Sequence, residues 1–165
     1  VDFEIQFTKV SLNPHTVKRA FYSGYTRFEE IKSSTAVINN REEAYKGSPM
    51  HFFRCLTGYS WGAESFNLFY KGLITTPANH FTVYKQDDDR FKVLIKKQNE
   101  PELLDSNIVA VFGLMYNGEK SSVYFTTDTI YVDAFGNNLS PRDVSFAGFI
   151  QGKRLGDTLP LNYGL

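Results

Sequence analysis

Asn117-Gly118 lies between two strand-like stretches, and this pair constrains the fold more than any other feature of the chain. Both residues accept positive φ, which the two-residue turn of a tight hairpin requires. Ahead of it, residues 107–116 are apolar on both faces: Ile108, Ala110, Phe112 and Leu114 alternate with Val109, Val111 and Met115. Such a run reads as a central strand covered on both sides. Behind it, a returning strand is expected over 121–133.

The stretch 48–71 is the second organising segment. Ser48 suits a helix cap and Pro49 the first helical position. Phe52, Cys55 and Leu56 share one helical face, and Gly58 fits a left-handed stop. From Glu64 the period changes to two, with Phe66, Leu68 and Tyr70 on one side. Elsewhere, residues 1–10 alternate as a strand with one wet face, Phe3, Ile5 and Phe7 against Glu4, Gln6 and Thr8. Asn13-Pro14 reads as the start of a short helix with Val17, Ala20 and Phe21 inside and Gly24 as its stop. One or two strands are expected in 25–38 and a polar loop over 39–47. Short strands are expected at 81–85 and 91–97 around a turn at Asp87-Asp88-Asp89, then a surface loop over 98–106 broken by Pro101. Gly136-Asn137-Asn138 reads as a turn, 144–151 as the last strand with Val144, Phe146 and Ile150 on one face, and the tail from Lys153 as extended.

Many short strands separated by turn signals predict an all-β fold, an antiparallel β-sandwich or jelly roll with one or two short helices. The 15 Phe and 10 Tyr favour the same class, because aromatics suit half-buried pleated surfaces. With 165 residues, no repeat and no linker, residues 1–165 are expected to form a single domain. Eighteen basic residues balance 18 acidic ones, which argues against electrostatic capture of nucleic acid and leaves little self-repulsion between copies. Cys55 is the only cysteine, so a disulfide-stapled fold is excluded. No apolar run reaches membrane-spanning length, and no membrane insertion is expected.

Chemical motifs are sparse. His15, His51 and His80 have none of the spacings that place two ring nitrogens on one metal. The Asp87-Asp88-Asp89 run lacks the alternating carboxylates and distant glutamate of a calcium loop and reads as a solvated turn. Cys55 falls on an apolar helical face, where burial suppresses thiol reactivity. No GxSxG, phosphate-cradling or dinucleotide motif is present. No enzyme activity, cofactor or metal is therefore expected. Tyr59, Trp61, Tyr70 and Tyr84 are the aromatic candidates for stacking on sugars. Tyr59 and Trp61, flanked by Gly58 and Gly62, are the binding candidates, against the simpler reading that Trp61 plugs one end of the fold. Asn138-Leu139-Ser140 fits a glycosylation acceptor on a turn.

The segments Phe52-Phe53-Arg54-Cys55-Leu56, Tyr59-Ser60-Trp61-Gly62 and Ser65-Phe66-Asn67-Leu68, with Arg142-Asp143-Val144-Ser145-Phe146-Ala147-Gly148-Phe149-Ile150-Gln151-Gly152 near the end, resemble the jelly-roll capsid proteins of picorna-like viruses. The likeness is to the iflavirus, dicistrovirus and secovirus types of insects and plants. Residues 17–31, with Tyr25 and Arg27, loosely resemble the entry to the first strands. The resemblance implies a structural capsid subunit that packs with copies of itself and sister coat proteins into an icosahedral shell around an RNA genome. It implies a virion assembled in the host cytoplasm, with RNA met indirectly or through the termini, and a possible host receptor. Loops at 76–80, 98–106 and 134–142 would then shape the outer surface. Exposed aromatics support an alternative, a carbohydrate-binding β-sandwich of the lectin or adhesin kind.

Overall fold

The computed structural model describes residues 2–10, 17–25, 34–58, 60–62, 65–87, 89–98, 107–153, 159–161 and 163–164. The chain divides into two compact units, Val1–Ser34 and Thr35–Leu165, where the sequence pattern alone offers no boundary. The first is a hairpin of β1 (Asp2–Val10) and β2 (Val17–Tyr25), paired antiparallel from Asp2↔Tyr25 with register shifts around Lys9. The helix expected from Asn13-Pro14 is thus replaced by a strand over 17–25. Val17, Phe21, Tyr22 and Tyr25 are β-branched or aromatic and favour extended backbone, and pairing with β1 satisfies the strand's hydrogen bonds.

In the second unit, α1 (Thr35–Tyr45) occupies the end of the stretch expected as strand and most of the expected loop. It has no buried residue, and its helicity rests on good helix formers such as Arg41, Glu42, Glu43 and Ala44, with a Glu42–Lys46 ion pair at i,i+4 spacing. Sequence periodicity overlooks it because it has no apolar face. The next helix, α2 (Pro49–Gly58), follows its signals. The Ser48 hydroxyl oxygen accepts a hydrogen bond from the His51 amide at 3.1 Å, and Phe52, Cys55 and Leu56 are buried together with His51 and Phe53. Gly58 closes the helix without positive φ, so the expected left-handed stop is not formed.

The rest is an all-β antiparallel sandwich with short helices. One sheet has the order β10-β8-β7-β3-β4 and the other β5-β6-β9. The strands are β3 (Asn67–Tyr70), β4 (Leu73–Ile74), β5 (Phe81–Asp87), β6 (Arg90–Ile95), β7 (Ala110–Tyr116), β8 (Glu119–Phe125), β9 (Thr129–Asp133) and β10 (Val144–Gly148). Three hairpins, β3-β4, β5-β6 and β7-β8, each stay within a sheet. The Asn117-Gly118 turn forms as expected, with φ of 49° and 81°, and joins the central strand β7 to β8. The expected long strand over 121–133 is two strands, because the chain crosses between sheets at 126–128.

Alternation places Ala110, Phe112, Leu114 and Tyr116 of β7 inside, while Val111, Gly113 and Met115 are half-buried. The strand is therefore fully covered on one face only. Across the core, Phe81 of the second sheet packs on Phe112 (4.9 Å between centroids) and Phe125 (5.8 Å). Strand β10 ends earlier than expected, at Gly148, whose φ is 80° and where a Cβ would fall 2.5 Å from the Lys120 carbonyl oxygen. Helix α3 (Phe149–Gly152) follows and still buries Ile150.

Gln98 completes the sheet. Strand β3 pairs only with residues 113–115 of β7, leaving the backbone of the first half of β7 open on that side. The Gln98 amide nitrogen donates to the Val109 carbonyl (2.9 Å), its side-chain nitrogen donates to the Val111 carbonyl (3.1 Å), and its side-chain oxygen accepts from the Val111 amide (3.0 Å). The side chain thus stands in for a missing strand. Gln98→Ala is expected to lower stability by about 2 kcal/mol, since it strands one backbone donor and one acceptor. A urea-unfolding midpoint unchanged from wild type would show that this amide contributes nothing.

Candidate functional site

Helix α2 and the bend after it build the most chemically varied region of the protein. Trp61 packs edge-on against Phe52, with centroids 5.9 Å apart and planes at 86°. It is half-buried against the core rather than sealed within it. Its indole nitrogen is buried and meets no acceptor among the described residues. A buried donor without an acceptor is uncommon and costly.

Trp61 and Gly62 line two cavities. One, of about 460 Å³, is bounded by Phe66, Asn67, Leu68, Thr75, Thr76, Pro77 and Asn79. Its walls combine an aromatic plane with amides and hydroxyls. A short 3-10 turn, Pro77–Asn79, shapes its rim. Behind it, His80 lies 2.9 Å from the Thr75 hydroxyl through its Nε2 and packs on Tyr70 and Phe112. Burial, followed by the charge of Lys96, lowers the His80 pKa.

The other cavity, of about 340 Å³, is bounded by Tyr45, His51, Arg54, Cys55, Ser60 and Ser65. His51 and Cys55 lie one helical turn apart, the spacing of a nucleophile–base pair. Their chemistry is otherwise. Burial pushes the Cys55 thiol up, opposed in part by hydrogen bonds with Ser60 and Ser65, so the thiol stays protonated. The His51 Nδ1 accepts from the Gly47 amide at 3.1 Å, which places the proton on Nε2. Its ring lies 4.8 Å from that of Tyr45, 5.2 Å from Phe66 and 5.3 Å from Tyr116. Burial first, then Arg54, lowers its pKa.

Arg54 is engaged as a clamp. Its Nε donates to the Phe135 carbonyl at 2.7 Å, its terminal nitrogen donates to the Tyr163 carbonyl, and its guanidinium lies 5.2 Å from the centre of the Tyr45 ring. Gly136 faces it with φ of 82°, where a Cβ would fall 2.6 Å from the Arg54 Cγ.

Of the expected binding pair, Trp61 lines both cavities and Tyr59 lies outside the described residues, as does His15. Tyr70 is half-buried beside His80, whereas Tyr84 is exposed on the second sheet. His51 and His80 sit in separate aromatic settings, and no group of three metal-ligating side chains occurs among the described residues. Asn138 forms a turn in which its side-chain oxygen accepts from the Ser140 amide at 2.9 Å. Sequence reasoning does not single out Asn67, Thr75, Thr76 and Asn79. Their signal is the Thr-Thr-Pro turn that folds back beside the strand carrying Asn67. Comparisons with protein-family models, curated proteins and solved structures find no match to this chain.

Both described histidines have depressed folded-state pKa values, so the unfolded chain takes up protons first on acidification. Their contribution is complete above about pH 6.5 and is lost as the pH falls below it. The melting temperature is therefore expected to fall from about pH 7.5 to about pH 5, and His51→Gln to make that slope shallower. An unchanged slope in the variant, measured by circular dichroism, counts against a neutral buried His51.

Proposed function

We propose that this domain is a non-catalytic carbohydrate-binding β-sandwich, with one sugar ring held in the cavity beside Trp61. The observation that carries this reading is Trp61, whose buried indole N–H meets no acceptor among the described residues, lining a cavity rimmed by Asn67, Thr75 and Asn79. A pyranose offers a matching pair of surfaces: an apolar ring face for the indole and hydroxyls for amides and threonine oxygens. The protonated Cys55 and the neutral, hydrogen-bonded His51 are consistent with a site that binds without bond cleavage. Trp61 is the only tryptophan in the chain, so its emission reports on the two cavities it lines, and Asn67, which borders only the first, tells them apart. Titration with a panel of monosaccharides is expected to shift or quench that emission, and Asn67→Leu to weaken the response at least about tenfold. A flat titration across the panel, with a blank glycan array, ends the proposal.

A second reading, the coat-type subunit that the sequence resemblance implies, is favoured by the edge strand β4. There Leu73 and Ile74 are 74% and 69% exposed at the end of the five-stranded sheet. Exposed apolar edges promote pairing between copies, and in that reading sister coat proteins and copies of this chain would cover the edge in an icosahedral virion around RNA. Electron microscopy of the purified chain is then expected to show closed particles or regular oligomers that disappear in Leu73→Lys. A monomer at every concentration, by light scattering, removes this reading.

A further inference from the structure

The outer face of the three-stranded sheet carries a second feature, independent of the Trp61 cavity. The antiparallel register aligns Tyr84 with Lys92 and Lys92 with Tyr131. The three side chains form one row across β5, β6 and β9. They point away from the core, since the alternating positions Val93, Ile130 and Val132 are fully buried. Tyr84 is 51% exposed and Tyr131 is 37% exposed. Two interstrand spacings separate the tyrosines, which places them about 10 Å apart with the lysine between. On one side the adjacent row is Thr82, Leu94 and Thr129. Beyond β9, exposed Leu139 lies alongside, its amide donating to the Tyr131 carbonyl at 2.8 Å. The Tyr131 amide in turn donates to the Ser140 hydroxyl, so segment 138–140 covers that edge and leaves the face accessible.

The geometry points to this row as a binding strip for an extended acidic polysaccharide, one whose sugar rings carry carboxylates. Each tyrosine offers a flat amphipathic ring to a sugar face, and Lys92 offers a cation to a carboxylate held between the two stacked sugars. The face of a three-stranded sheet accommodates a chain lying across the strands. On the other side the adjacent row holds the exposed Arg90 opposite Asp133, so the face carries few cations, which matches a sparsely charged polymer. A nucleic acid strand would call for a larger set of cations than a chain of zero net charge presents. The inference goes beyond the monosaccharide cavity: it assigns a different surface, a polymeric ligand and a sign of charge.

Titration calorimetry of the full chain with a short oligogalacturonate at low salt tests it, with a neutral cello-oligosaccharide and an oligothymidylate as comparisons. Binding of the oligogalacturonate is expected, weakened by added salt. Tyr84→Ala and Tyr131→Ala should each weaken it roughly tenfold, while Tyr131→Phe retains it. Lys92→Gln is expected to abolish the preference for the uronate over the neutral oligomer. All three positions lie on the solvent face, and matching circular dichroism melts establish that the four variants fold. Trp61 emission stays constant throughout, which separates this strip from the cavity. Failure of the oligogalacturonate to bind overturns the inference. So does selective binding of the oligothymidylate, or binding that shifts Trp61 emission and ignores the tyrosine substitutions. The last result would leave the proposed cavity function standing.

Discussion

The contact among Phe81, Phe112 and Phe125 holds the sandwich together. Phe81 belongs to one sheet and the other two to its neighbour, and the three rings lie within 6.2 Å of one another. Two sheets of unequal width need a shared interior, and aromatic rings supply large buried area with preferred edge-to-face geometry. Helix α2 extends that interior: Phe52 contacts Phe53, Trp61, Phe66 and Phe146. The position of Trp61, and so the existence of the two cavities beside it, follows from this packing. The cavities lie where the aromatic interior meets Trp61 and Gly62.

What could be read in the sequence follows from which forces are local. The Asn117-Gly118 turn, the Ser48 cap and the apolar face of α2 rest on backbone preference and short-range periodicity, and all three form. Strand β2 was hidden because Asn13-Pro14 and Gly24 mimic helix punctuation, while the pairing with β1 that decides its conformation is a partner effect. Helix α1 was hidden for the opposite reason: it buries nothing, so no apolar stripe marks it. The split of 121–133 into β8 and β9 depends on which sheet each half joins, a choice set by tertiary packing.

The candidate site divides along the same line. Trp61 was visible as an aromatic beside glycines, and Cys55 was visible as a buried thiol. The rim residues Thr75, Thr76 and Asn79 were not, because Thr75 and Thr76 approach Asn67 only after the chain reverses through β4, and Asn79 only through the 3-10 turn that follows. The row of Tyr84, Lys92 and Tyr131 joins residues far apart in sequence and exists only through register. Gln98 is the clearest case: an ordinary polar residue at the start of an expected loop is buried because a sheet lacks a strand beside it.

Arg54 joins three distant parts of the chain, reaching from α2 to carbonyl groups at Phe135 and Tyr163. Its partners lie 81 and 109 residues downstream. During synthesis the helix therefore emerges long before the groups that fix its final setting. The sheets can begin pairing in order, but the corner formed by α2 and the turn at Tyr163 waits until Tyr163 has left the ribosome. Docking across such a separation raises contact order and slows folding. Until then the guanidinium is left to water, and the nascent sandwich has an unfinished side.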